Sequence, residues 1–229
     1  MLNIKVILFL LGLIWLLPAC ISEPSSAVDQ DKIHALYELH YDKNQDKTYA
    51  RATFRFSNGL GTKLQLSAPS EIRFNNQVLT FNSVLAYYER EFAGFVTSGT
   101  FKWVDANGKE FVNNISGIKT IAFPAVMPTF KKGNSTEVFW LGDALIADER
   151  AVISMNSTAI GDLQIADRTG LGATSVIVSA NQIQNLPTGQ NITAVLRRYK
   201  DVPVTQKTSA GAGMFTHYQA TNVIVQVNP

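Results

Sequence analysis

Strict alternation of apolar and polar residues is the feature that most limits what this chain can form. Ile33, Ala35, Tyr37, Leu39 and Tyr41 alternate with His34, Glu38, His40 and Asp42, and a second run sets Ala50, Ala52, Phe54 and Phe56 against Tyr49, Arg51, Thr53 and Arg55. A period of two is the repeat of a strand with one face in a core and one in water. The polar stretch Lys43 to Thr48 between the runs reads as a turn, so the two strands form a hairpin. Pairing Leu39 with Ala52 and Tyr37 with Phe54 sends both apolar rows to one core. Arg51 and Arg55 then lie diagonal to Glu38 on the wet face.

Short strands broken by turn residues continue along the chain, with Asn58-Gly59, Pro69, Asn75-Asn76 and Asp105-Ala106-Asn107-Gly108 as the clearest breaks. Phe101 and Trp103 before the last break and Phe111 after it predict a hairpin, and Ile118 to Phe123 predicts a closing strand. Pro124, Pro128 and Lys131-Lys132-Gly133-Asn134 shift the composition and mark a domain boundary. A first module over residues 31–127 matches the roughly 100 residues of an immunoglobulin-like sandwich, and residues 128–229 make a second. Strands are expected there at Thr136 to Leu141, Ala151 to Met155, Asp162 to Ala166, Ser175 to Val178, Ile192 to Tyr199 and Asn222 to Val227. Ser179 can cap a helical turn that places Ile183 and Leu186 on one face before Pro187-Thr188-Gly189 ends it. This order of strand, helical turn, Leu-Pro-x-Gly and strand resembles the crossover between the sheets of many bacterial immunoglobulin-like modules. The expected fold is therefore all-β: two tandem immunoglobulin-like antiparallel β-sandwiches after a signal peptide and short tether. A single larger sandwich is the alternative.

The single cysteine, Cys20, closes an apolar N-terminal run in which Lys5 supplies a positive start and Val6 to Leu17 an unbroken hydrophobic stretch. Twelve helical residues reach only about 18 Å against a hydrocarbon core of about 30 Å, too short for a membrane span. The order Leu17-Pro18-Ala19-Cys20 resembles the processing site of a bacterial lipoprotein. That resemblance implies removal of residues 1–19 as a signal peptide and lipid on the sulfur and amine of Cys20. It places the protein in the cell envelope, anchored to the outer membrane, with the membrane as a partner through the anchor. Residues 20–30 are small and polar and read as a flexible tether.

Removal of residues 1–19 leaves 19 basic against 18 acidic side chains, a balance that argues against a nucleic-acid partner. With no second cysteine, disulfides and thiolate metal sites are excluded, and stability must come from burial. His34, Glu38, His40 and Asp42 share a strand face. One strand cannot turn all four onto one ion, so they read as a solvated face paired with Arg51 and Arg55, and no metal is expected. Asp42-Lys43-Asn44-Gln45-Asp46 has the opening spacing of a calcium loop. Lys47 stands where that loop needs glycine and Thr53 where it needs glutamate, which leaves a hairpin turn. The glycine-rich stretches Gly59-Leu60-Gly61, Gly170-Leu171-Gly172 and Ser209 to Gly213 lack the lysine and helix of a phosphate-binding loop and read as connections. No serine sits in a Gly-x-Ser-x-Gly elbow. No catalytic residue and no cofactor is expected.

Binding by surface is what the sequence leaves open. Trp140 lies in Val138-Phe139-Trp140-Leu141, apolar on both faces, and Tyr87-Tyr88 is a second aromatic site. Trp140, Tyr87 and Tyr88 are the candidate ligand contacts. The reading is a lipid-anchored envelope protein with a non-catalytic binding, adhesion or structural role, partnered by an envelope or extracellular protein. The alternative is a carbohydrate-binding surface lipoprotein with a glycan ligand, and after it an envelope hydrolase or inhibitor.

Overall fold

A computed structural model describes residues 22–229, and the stretch expected to be a signal peptide, residues 1–19, and Cys20 lie outside the described residues. Strands β1 (Ile33–Asp42) and β2 (Lys47–Phe56) form the first hairpin. Its register sets Ala35 opposite Phe54, Tyr37 opposite Ala52 and Leu39 opposite Ala50, two residues away from the pairing expected of the pattern. A slip of two leaves each side chain on its own face, so the core row is unchanged. The loop is tighter than its composition suggests because the Asp42 carboxylate folds it. That carboxylate accepts from the backbone N–H and Nδ2 of Asn44, each at 2.8 Å, and from Gln45 Nε2 at 3.0 Å. The tighter loop brings Arg51 directly opposite Glu38 rather than diagonal to it.

Strand β3 (Glu71–Phe74) precedes β4 (Tyr87–Ala93), which widens the first sheet by pairing with β2. The hairpin of β5 (Ser98–Val104) and β6 (Glu110–Ser116) joins β3 in a second layer. Between the layers lie Tyr37, Leu39, Phe54, Ile72, Phe74, Phe101, Trp103, Phe111 and Ile115, all buried. Trp103 stacks on Phe111 at 4.6 Å between ring centroids and donates through Nε1 to Ser70 Oγ at 3.2 Å. Each such apolar side chain contributes about 1.5–3 kcal/mol on leaving water.

The second half comprises β7 (Thr136–Phe139), β8 (Glu149–Ser157), β9 (Gly161–Thr169), β10 (Ser175–Val178), helix α1 (Ala180–Gln184), β11 (Ile192–Asp201), β12 (Ala212–Gln219) and β13 (Val223–Val225). Ser179 caps α1 by accepting from Gln182 N, and Ile183 and Leu186 are buried, as the sequence indicates. The glycine-rich approach to β12 hid that strand from pattern reading. It runs parallel to β1, with Phe215 beside Glu38, His217 beside His40 and Tyr218 beside Tyr41. One sheet therefore crosses both halves in the order β2, β1, β12, β11, β8, β9. The small β7–β10 sheet and a parallel pair, Phe130–Lys131 with Val227–Asn228, belong to the second half.

Two cores result, and each borrows from the other half. Met214 of β12 lies in the first, and Tyr41 of β1 lies in the second. Ile118 to Phe123 forms no closing strand. It has one isolated bridge, Ala122 to Leu141, and puts Ile118, Ile121 and Phe123 into the second core. Within the stretch that reads as a tether, Glu23–Pro24 pairs with Leu64–Gln65. Ser25 there is fully buried and accepts through Oγ from Ser67 N at 2.8 Å. The Ser209–Gly213 stretch binds the first half: Ser209 donates through N to the Asp31 carboxylate at 3.1 Å and through Oγ to the Asp31 carbonyl at 2.8 Å. Asn113 of β6 adds a second tie, its Oδ1 accepting from Thr205 N and Gln206 N at 3.0 and 2.9 Å.

The Asp143–Glu149 loop is fastened from inside by a buried ion pair, Arg198 with Glu149. Arg198 also donates to the carbonyls of Asp143 and Ala144 at 2.8 and 3.0 Å, and Glu149 accepts from Ile146 N at 2.9 Å. Removing one member leaves the other charged and dry. Glu149→Ala or Arg198→Ala is expected to lower the unfolding free energy by about 3–5 kcal/mol, whereas Glu149→Leu with Arg198→Met costs less than the sum. Urea denaturation of the three variants checks this, and a single-variant loss below about 1 kcal/mol would refute it.

Candidate functional site

The parallel seam assembles an unusual row of side chains on the sheet face away from the two cores. Alternation along β1 turns Glu38 and His40 to that face. The matching positions are Tyr49 and Arg51 on β2, Phe215 and His217 on β12, Tyr199 on β11 and Arg150 on β8. Read across the strands at one level, Tyr49, His40, His217, Tyr199 and Arg150 stand side by side. The His40 and His217 rings lie 3.8 Å apart, His40 to Tyr49 is 5.5 Å, and Tyr199 meets His217 edge-on at 4.8 Å. Arg150 covers Tyr199 at 4.7 Å, and Arg51 lies 5.1 Å from Tyr49 and 5.3 Å from Tyr87.

Glu38, His40 and His217 converge: one ligand atom from each lies within 4.8 Å of the others. Glu38 Oε1 is 3.6 Å from His217 Nδ1 and accepts from Arg51 Nη1 at 3.4 Å. Arg51 is shared with Glu89, to which its Nε donates. Arg197 is held by Gln219 Oε1 at 2.8 Å and Ser154 Oγ at 3.3 Å. Burial governs the protonation of the cluster. It lowers His217 well below the ordinary imidazole range, helped by His40, Arg197, Arg51 and Arg150. It brings His40 down to about 3, with Arg51 acting in the same direction and Asp42 against it. It also raises the Glu38 carboxyl, which Arg51 opposes. Neutral imidazoles beside a carboxylate form a donor set for a borderline-soft cation.

Of the residues singled out in the sequence, His40 and Glu38 belong to this cluster, and His34 and Asp42 stand outside it. His217 was invisible as a partner because its strand was. Trp140 and Tyr88 are corrected from ligand contacts to core residues. Trp140 is buried in the second core with Nε1 donating to the Asp143 carbonyl at 3.3 Å. Tyr88 is buried against Phe54 and Phe81, and its hydroxyl accepts from Leu66 N at 2.6 Å. Tyr87 is half-buried beside Arg51. Cys20 lies outside the described residues.

The histidines make stability depend on pH. Unfolded, they take up protons below about 6.5, while the folded state refuses them, so stability present above that pH is lost on acidification. His40 and His217 each add a slope of up to about 1.4 kcal/mol per pH unit, and His34, also lowered by burial, adds to it. Glu38 acts oppositely, but only near and above its unfolded value of 4.5. In metal-free buffer the melting temperature is expected to fall steadily from pH 7 to 5, and His40→Gln with His217→Gln to flatten that fall. An unchanged slope in the double variant would contradict this. No known protein-family model matches this chain, and no curated protein matches it.

Proposed function

We propose that the protein is a lipid-anchored component of the cell envelope, held at the outer membrane through Cys20, with a non-catalytic binding role exercised through a protein partner. In this reading each core is the interior of an immunoglobulin-like sandwich, the two joined through the shared sheet, and the strand, helical turn, Leu-Pro-x-Gly and strand order around α1 supports that reading for the second. The observation that carries the binding role is the outward face of the β7–β10 sheet. Phe139 and Leu141 are 56% and 57% exposed, and Ile177 on the neighbouring strand is 61% exposed. Inward, Val138, Trp140, Val176 and Val178 fill the core, so the outward apolar residues are not needed for folding. Among the described residues, strand β7 is hydrogen-bonded along one side only, to β10, while Leu141 just beyond it pairs with Ala122. An extended segment of a partner can add there, its main chain pairing with the open edge and its apolar side chains meeting Phe139. A second reading, a glycan-binding surface lipoprotein, is favoured by the half-buried rings of Tyr87, Tyr199 and Phe215 on the outer face of the shared sheet.

A photo-reactive phenylalanine at position 139, activated in intact cells, is expected to capture one reproducible envelope protein. Phe139→Asp with Ile177→Lys is expected to reduce recovery of that partner at least tenfold with the melting temperature unchanged, because both sites are exposed and a lysine at 177 stands opposite Glu137. Recovery of the protein alone, with loss of surface retention in a panel of soluble sugars, would transfer the role to the glycan reading. The anchor is tested separately: Cys20→Ala is expected to abolish fatty-acid labelling and leave an unprocessed precursor, and a processed but unlabelled wild type would refute it.

A further inference from the structure

We propose that Glu38, His40 and His217 form a binding site for a divalent transition-metal ion of the zinc class, closing the seam between the two halves of the protein. Geometry comes first. Parallel pairing places His217 beside His40 with ring centroids 3.8 Å apart, and Glu38 precedes His40 by two residues on the same strand face. Ligand atoms of a tetrahedral zinc ion, with bonds of about 2.0–2.1 Å, stand about 3.4 Å apart. The three donors, already within 4.8 Å of one another, reach that spacing by small side-chain rotations.

The second observation is independent of the clustering. Both nitrogens of His40 and both of His217 are buried without a hydrogen-bond partner, and His217 is only 8% exposed. Buried polar atoms are almost always satisfied, so four nitrogens without a protein partner on two touching rings point to a partner from outside the chain, water or an ion. A cation supplies one: each imidazole gives it a lone pair from one nitrogen, leaving the other to donate to water or a neighbour. Two imidazoles and a carboxylate make a three-residue set that leaves a fourth position for water or an external ligand. Three arginines, Arg51, Arg150 and Arg197, face the site, and each is engaged: Arg150 lies over the Tyr199 ring. Arg51 keeps Glu89 when Glu38 turns to a metal, and Arg197 is held by Gln219 and Ser154. Asp42, at an outward position of the same strand as His40, is committed to the loop through Asn44 and Gln45 and is not counted toward the site.

The ligands come from β1 and β12, so an ion would link the first half of the chain to the second across the pairing that makes the sheet continuous. This inference is independent of any partner at β7.

The test is titration of the mature protein, cleared of metal by chelation, with zinc ion followed by calorimetry, and with cobalt ion followed by visible absorption. One equivalent is expected to bind at micromolar affinity or tighter. The cobalt spectrum should show the intense bands of a four-coordinate site, and saturation with zinc should raise the melting temperature by about 5 °C or more. Glu38→Gln, His40→Ala and His217→Ala are each expected to weaken binding at least tenfold, while His34→Ala, on the same face but outside the cluster, leaves it unchanged. His217→Phe keeps a ring in the row and serves where alanine unfolds the protein. Absence of stoichiometric binding of both ions by the folded wild type overturns the proposal. So does binding that persists at equal affinity in a folded His217 variant.

Discussion

The pairing of β12 with β1 is the contact on which the rest of the structure depends. It joins strands from opposite ends of the chain, and a parallel pair cannot be closed by a tight turn; it requires a long crossover. Here the crossover runs from Lys43 to Gly211, the greater part of the chain. Loop closure over such a length is entropically costly, so the pairing must be supported by other contacts. Met214 and Tyr41 are two, each buried in the core of the half to which it does not belong. The ties from Asn113 to Thr205 and Gln206, and from Asp31 to Ser209, are others, and they hold the approach to β12 in place before the strand begins.

The same pairing explains the chemistry of the outer face. Central strands of a sheet are flanked on two sides, so their outward side chains shield one another even without a covering layer. His217, between Tyr199 and His40, is buried in this way. Desolvation then removes the charge from its imidazole and leaves neutral donors next to the Glu38 carboxylate. A face of this kind differs from the apolar face of the β7–β10 sheet, where Phe139 and Ile177 stand exposed. The first concentrates donors and charge, the second apolar area, and they fit different ligands.

What could be read in the chain was whatever alternation reports. The all-β character, the β1–β2 hairpin with its buried row, the β5–β6 hairpin and the capped turn at α1 all came from local pattern. The register of the first hairpin did not, because a slip of two residues preserves the pattern, and the Asp42 carboxylate in the loop decides between the alternatives. Strand β12 was missed for the opposite reason. It is buried on both faces along Thr216 to Gln219 and follows the glycine-rich Ser209–Gly213 stretch, so no alternation of apolar and polar residues announces it. Trp140 and Tyr88 looked like contacts because apolar runs do not say which side faces in.

The sequence by itself determined that this chain makes strands, where most of them turn, and that its net charge is close to neutral, since these follow from the order and chemistry of its residues. Only the tertiary structure decided that the two halves share one sheet, and that Glu38, His40 and His217 meet. The reason is range: a strand's period is written in adjacent residues, whereas the choice of a neighbouring strand is made by burial and hydrogen bonding between segments far apart in the chain.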